Sequence, residues 1–445
     1  MKYRFKDLLR LEVGPALGCT EPVAVALAAA AAASLLTPRQ VDKIQARVSP
    51  GVFKNGIGVF IPGTGGLRGL DLAAALGALG GDPGLGMQVL AAVDTQARQE
   101  AGDLVSRAGV SLQLDSGQSG LLIEVLVHRG SDVARALILD QHDHLVELSL
   151  NHKPLPLDNV LPKADSFSKE ELPRLEAWLA GLDLPELLQL SADLKQEDLD
   201  YLSQGVDDNL ALARYGLEYA PGLAVGAKLQ ELGRQGILQQ DLQLQAQILT
   251  AAAADARMSG AELPAMSSAG SGNNGLTAIL PLWAARGFVQ ASDLDLLRGI
   301  ALSHTITIAI KARIGRLTPV CSCSIAAGAG AAAGLTQALG GSTPQILAAI
   351  LNLLQDLNGV LCDGAKPACA LKLATAASSA VKSALLAQQG VRVPAAEGLS
   401  AASFPTAMDY LAQLCDQGLQ EAGRSVLRIL QEKSGSSLQG CRTHR

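Results

Sequence analysis

The sequence predicts an α+β protein, in which an Ala-rich all-α bundle carries a smaller α+β domain inserted near its N-terminus. Residues 38–160 contain short runs that alternate or are rich in β-branched side chains, while residues 161–434 repeat Leu, Ala, Gln and Glu at helical spacing. The first helix pair, residues 4–12 and 20–36, shares the Ala-rich character of the later half, so residues 1–37 are expected to pack with the α domain.

Taken in order, strands are expected at Ile44–Val48, Gly58–Ile61, Leu121–Val127, Arg135–Leu139 and Leu145–Leu150. The Gln-His-Asp-His sequence before Leu145 reads as a hairpin turn. Helical patterns interrupt these strands around residues 68–80 and 87–108. From Ser168 onward no strand pattern stands out, and helices continue to about residue 434. The run Ala326-Ala327-Gly328-Ala329-Gly330-Ala331-Ala332-Ala333-Gly334 is apolar on several faces and small enough for close backbone approach, which predicts a tightly packed central bundle. Residues 435–445 read as a loose tail.

Composition narrows the function. Of 445 residues, 48% are hydrophobic and 18% charged, which excludes a disordered chain and allows a large core. A net charge of −6, no basic block and 3% aromatic residues leave neither the charge footprint nor the stacking platforms of a nucleic-acid binder. The N-terminus lacks the apolar core of a signal peptide, and the Ala-rich stretch from Pro22 to Leu36 is shorter than the roughly 20 residues that span a bilayer. A cytoplasmic protein with no membrane partner is expected, and a homo-oligomer is one assembly the sequence allows.

Seven cysteines, Cys19, Cys321, Cys323, Cys362, Cys369, Cys415 and Cys441, are an odd count with two tight clusters, which points to metal or redox chemistry rather than a disulfide framework. Cys19, in Gly18-Cys19-Thr20-Glu21-Pro22, precedes a helix start. Cys323, ahead of Ser324-Ile325-Ala326-Ala327, and Cys362, in the turn Leu361-Cys362-Asp363-Gly364-Ala365-Lys366-Pro367, are placed similarly. Helix N-termini favour thiolates, and soft thiolates select iron–sulfur clusters, zinc or copper(I). Cys415, inside a helical pattern, and Cys441, in the tail, fit ordinary packing better.

Ser267-Ser268-Ala269-Gly270-Ser271-Gly272-Asn273-Asn274-Gly275 leads into a helix and offers hydroxyls, amides and backbone N–H groups suited to a carboxylate; a plain connecting loop has the same composition. Lys311, near Arg313 and Arg316 in an apolar run, and Lys366 are candidates for proton transfer or carboxylate pairing, against a solvated helix face and a turn lysine. His304 reads as a packing histidine, and His142, His144 and His152 as surface residues around a hairpin.

Four segments, Glu12–Pro22, Ser268–Gly275, Lys311–Gly328 and Gly359–Lys372, resemble in order the L-cysteine desulfidase family, itself similar to the α-part of iron–sulfur L-serine dehydratases. The resemblance implies a [4Fe-4S] cluster without pyridoxal phosphate, held by Cys19, Cys323 and Cys362, with Cys321 and Cys369 as reserve ligands. Ser322 departs from the Cys-Gly-Cys usual in relatives and leaves the choice between Cys321 and Cys323 open. The implied activity is β-elimination of L-cysteine to pyruvate, ammonium and hydrogen sulfide. Ser267, Ser268, Ser271, Asn273 and Asn274 would hold the amino-acid substrate, and Lys366, Lys311 or Glu21 would move protons. L-serine dehydration is the nearest alternative, and a non-enzymatic helical solute-binding or membrane protein is the alternative from another class.

Overall fold

The structure, a computed structural model, describes residues 2–440 except 63, 65, 119, 158–159, 161–165 and 316–317. The chain divides into two compact units. One comprises residues 1–17, 170–362 and 367–422, and the other residues 18–169, 363–366 and 423–445. Arg316 and Cys441 lie outside the described residues.

The helical unit begins with α1 (Phe5–Glu12) and the short strand β1 (Pro15–Leu17). The α+β unit then contributes α2 (Thr20–Ala33), β2 (Lys43–Val48), α3 (Pro50–Gly56), α4 (Leu70–Gly80), α5 (Thr95–Ser106), β3 (Val110–Leu114), β4 (Leu122–Arg129), β5 (Asp132–Leu139), β6 (Leu145–Leu150) and β7 (Lys153–Pro154). Its sheet has the order β3-β2-β4-β5-β6-β7, with β2 and β3 parallel and the other pairs antiparallel. A parallel pair needs a crossover rather than a hairpin, and α3 to α5 supply it. The Gln-His-Asp-His turn joins β5 to β6 as expected.

One expected strand does not form, and one edge strand appears where none was expected. Gly58–Ile61 forms no strand; only Phe60 pairs, in a single bridge with Arg68. The edge strand β3 follows a helical pattern and has no fully buried residue, so its alternation is weak.

The helix expected to join the C-terminal bundle does not. In α2 every residue from Glu21 to Ala33 is buried, and its side chains share one core with α4 and the inward faces of β2, β4, β5 and β6. A helix built mostly of alanine, with Val23, Val25 and Leu27 its largest apolar side chains, presents little bulky ridge, which suits it to lie under a sheet and against another small-residue helix. Gly77 of α4 marks that contact, since a Cβ there would stand 2.1 Å from the Ala26 carbonyl oxygen. Ala-richness therefore reports close packing, not which core a helix joins.

The helical unit continues with α6 (Ser166–Ala180), α7 (Leu184–Ala192), α8 (Gln196–Tyr219), α9 (Val225–Arg234), α10 (Leu242–Met258), β8 (Pro264–Met266), α11 (Gly272–Trp283), α12 (Asp293–Ile314), α13 (Ser322–Ala338), α14 (Thr343–Leu357), α15 (Cys369–Gln388) and α16 (Phe404–Gln413), followed by a π turn at Leu414–Gly418. The last helix, α17 (Gln420–Gly440), extends through most of the segment expected to be a loose tail. At the centre α12 and α13 cross so closely that a Cβ on Gly334 would lie 2.2 Å from the Gly299 carbonyl oxygen. The later half is not wholly helical, because β8 pairs antiparallel with β1, Ala16 opposite Ala265. At three residues, β8 is too short to show alternation in the sequence.

Among the described residues α15 alone is long and apolar enough to cross a membrane, and 56% of that stretch is buried within the fold.

Candidate active site: a polar loop and a cysteine turn

In the helical unit, the β1–β8 ribbon delivers the chain to the Ser267–Asn274 loop. The Ser267 N–H donates to the Gly14 carbonyl at 2.8 Å, the Gly14 N–H to Ser267 Oγ at 3.3 Å, and the Met266 N–H to Asn209 Oδ1 at 2.9 Å. Ala269 and Gly270 turn the chain with φ of 49° and 68°, and Ser268 and Ser271 exchange backbone hydrogen bonds at 3.1 Å. Ser271 then caps α11, accepting from the Asn274 N–H.

The loop side chains face inward and are engaged. Asn274, fully buried, donates through Nδ2 to the Ser268 carbonyl at 3.2 Å and accepts at Oδ1 from Ser322 Oγ at 3.0 Å. Asn273 accepts at Oδ1 from the Arg257 guanidinium at 2.9 Å and places Nδ2 3.6 Å from the Met258 sulfur. Ser268 Oγ lies 3.0 Å from His304 Nδ1. Five residues expected to face substrate thus spend their side chains mainly on shaping the loop.

Two further residues shape this region: Arg257, not singled out from the sequence, and His304, expected as a packing histidine. Arg257 is a buried arginine at the end of α10, and its guanidinium fits against the loop because residue 272 is glycine; a Cβ there would lie 2.4 Å from Arg257 Nε. His304 is fully buried and only half satisfied, since Nε2 has no partner among the described residues. Burial lowers its pKa to about 3 and keeps the ring neutral. The signal for both was a lone basic residue in an otherwise small or apolar helix.

The cysteine turn lies in the same unit. Val320 and Leu361 form an antiparallel bridge, with the Cys321 N–H donating to the Val360 carbonyl at 2.8 Å and the Cys362 N–H to the Pro319 carbonyl at 2.7 Å. Two of the predicted cysteine segments are thereby tied side by side. α13 starts at Ser322, so Cys321 rather than Cys323 occupies the N-cap. The Cys323 thiol donates to Cys321, which outweighs the opposing effect of burial; with Ser324 and the positive charge of Lys372, it lowers the Cys321 pKa to about 6. Cys323 is pushed well up by that same hydrogen bond, by burial and by the neighbouring Cys321, Cys369 and Cys362. Cys369 opens α15 and packs with Cys323 against the same apolar cluster. Lys372, one turn into α15, donates to the Leu361 carbonyl at 2.7 Å and so braces the turn before Cys362. Lys311 is buried and donates to the Gly315 carbonyl at 2.5 Å, closing the end of α12. Cys415 sits in the π turn, buried, its thiol raised to about 11 by desolvation.

In the α+β unit, Cys19 is the N-cap of α2 and is buried. Its thiol donates to Glu21 Oε2 at 2.9 Å, while Asn55 Nδ2 donates to Glu21 Oε1 at 2.7 Å. Burial by itself raises the Glu21 pKa, but His142, Cys19 and Asn55 together overcome it and hold the carboxyl at about 2. His142 Nε2 lies 3.9 Å from Glu21 Oε1. The hairpin histidine expected on the surface is half-buried, 26% exposed, and borders the buried Glu21. Lys366 pairs with the Asp363 carboxylate and also donates to the Asp363 carbonyl at 3.1 Å.

Among the described residues no group of three or more His, Cys, Asp or Glu could hold one metal ion. A zinc ion needs donors about 2.0–2.3 Å from the metal, so no preformed zinc site is built among the described residues. The donor chemistry of Cys321, Cys323, Cys362 and Cys369, soft thiols with one stabilised as thiolate, fits an iron–sulfur centre, whose ligands bind different irons and stand farther apart.

The sequence model of the serine dehydratase alpha chain matches residues 85–428. The chain is 47% identical over 437 residues to a UPF0597 protein of Desulfatibacillum aliphaticivorans, covering 98% of this chain and 100% of that one. A UPF0597 protein of Desulforapulum autotrophicum is 46% identical over 434 residues, covering 97% and 98%, and one of Clostridioides difficile is 38% identical over 426 residues, covering 96% and 99%. The protein belongs to the serine dehydratase alpha chain family. That membership points to a lyase.

Proposed function

We propose that the protein eliminates sulfide from L-cysteine, with water, to give pyruvate, ammonium and hydrogen sulfide. The observation that carries the reading is the thiol group of Cys321, Cys323, Cys362 and Cys369, gathered where α13 and α15 begin, in a chain of the serine dehydratase alpha family. On the sequence resemblance, Cys19, Cys323 and Cys362 would hold a [4Fe-4S] cluster, with Cys321 and Cys369 in reserve. When bound, such a cluster supplies a Lewis acid for the leaving group.

The chain's own residues supply orientation and proton movement. The start of α11 and the Ser267–Asn274 loop offer backbone N–H groups to the substrate carboxylate, with Arg257 adding positive charge beside Asn273. Of the three proton-transfer candidates, Lys311 is committed to the Gly315 carbonyl, and Glu21, at a pKa of about 2, is too weak a base. Lys366 is also engaged, by Asp363, but unlike Lys311 its side chain is 28% exposed, so the reading assigns proton transfer to it.

Cysteine substitution tests the reading. Cys19→Ala, Cys323→Ala and Cys362→Ala should each lose iron and acid-labile sulfide together with pyruvate formation; full activity in all three would overturn it. The family match favours L-serine dehydration as the second reading, which differs in the leaving atom.

A further inference from the structure

The polar loop and the cysteine turn are joined by one chain of hydrogen bonds, buried except at its Ser322 end. His304 Nδ1 meets Ser268 Oγ at 3.0 Å, the Ser268 carbonyl accepts from Asn274 Nδ2 at 3.2 Å, and Asn274 Oδ1 accepts from Ser322 Oγ at 3.0 Å. Ser268, Asn274 and His304 are fully buried, and Ser322 is partly buried. The last link joins the first turns of two helices, Asn274 in α11 and Ser322 in α13. Both functional groups of the Asn274 amide are therefore used inside the protein.

We propose that Ser322 and Asn274 are positioning residues, which hold the Cys321–Cys323 turn in register with the Ser267–Asn274 loop. Ser322 is the one side chain of Cys-Ser-Cys that reaches the loop through a hydroxyl, and His304 anchors the far end of the chain. Because burial keeps His304 neutral, that anchor does not change between pH 5 and 9. Asn274 is thereby reassigned from substrate contact to support of the loop. The inference rests on the reading that loop and turn serve one active site.

Amide hydrogen exchange of the metal-free protein tests it without turnover. Ser322→Ala removes the hydroxyl and Ser322→Thr keeps it. One neutral hydrogen bond is worth about 0.5–1.5 kcal/mol, so Ser322→Ala should speed exchange across 267–275 about 2- to 10-fold, and Ser322→Thr should stay within about twofold of the parent. Asn274→Ala should loosen both the loop and residues 320–324, and adding Ser322→Ala to it should change nothing further. Unchanged loop exchange in Ser322→Ala, equal acceleration in Ser322→Thr, or equal acceleration throughout the helical unit would overturn the proposal. On reconstituted protein, Ser322→Ala should lower kcat for L-cysteine more than it raises KM. Loop coupling without any turnover by the parent protein would instead count against the reaction.

Discussion

Replacing Glu21 by Gln tests the buried cluster at the start of α2. In the folded chain the carboxyl sits at about 2 instead of 4.5, because the interactions with His142, Cys19 and Asn55 outweigh the cost of burial. A depression of this size corresponds to about 3 kcal/mol of stability. The folded pKa lies below the unfolded one, so this contribution is complete above pH 5 and is lost as pH falls from about 4.5 toward 2. Glu21→Gln retains an acceptor for Asn55 and Cys19 but loses the charge, and hydrogen bonds to charged groups are worth about 1.5–3 kcal/mol. The variant should therefore be less stable than the parent by about 1–3 kcal/mol at pH 7, with the gap shrinking as pH approaches 3. Urea titrations read through amide exchange of residues 20–33 isolate this region from the helical unit. A gap that is absent at pH 7, or that stays constant down to pH 3, would refute the reasoning.

Three further predictions follow the same logic. Asp255 of α10 is buried and its pKa is raised to about 6, with the Gly226 and Val225 N–H groups only partly offsetting desolvation. Its folded pKa lies above the unfolded 3.8, so stability falls as pH rises from about 4 to 6; Asp255→Asn should be more stable at pH 7 by about 1–2 kcal/mol after solvent screening and equal at pH 3.5, by urea titration of the helical unit. Gly275→Ala places a Cβ 1.8 Å from the Met266 carbonyl oxygen and should cost about 2–3 kcal/mol in the same assay, with faster exchange across the loop. Cys321, with its pKa near 6, should give an ultraviolet thiolate absorbance that titrates near pH 6 although the residue is buried; Cys323→Ala removes the hydrogen bond that lowers it and should move that midpoint upward, whereas an unmoved midpoint would contradict it.

Much of the fold was legible because its periodicities are local. β2, β4, β5 and β6 follow runs of alternating or β-branched residues, and the Gln-His-Asp-His turn marks one hairpin. What the sequence hid depends on partners far along the chain. β8 is a strand only because β1 lies beside it, and α2 looks like a bundle helix because alanine is silent about which surface covers it. The candidate residues divide in the same way. Cys19, Cys321, Cys323 and Cys362 stand out by their turn contexts, and the Gly/Ser/Asn loop by its composition. Glu21, Lys311 and Asn274 were legible as residues but not in role, because role is set by Asn55, Gly315 and Ser322, at 34, 4 and 48 residues' distance. Arg257 carried no motif, and His142 and Lys372, though inside segments that stand out, show their roles only through tertiary contacts.

The most direct test of the proposed activity is product analysis on anaerobically iron–sulfur-reconstituted protein given L-cysteine or L-serine in parallel. The account predicts sulfide and pyruvate in equal amounts from L-cysteine, at a kcat/KM above that for L-serine. Pyruvate from L-serine alone, or no product from either, would contradict it.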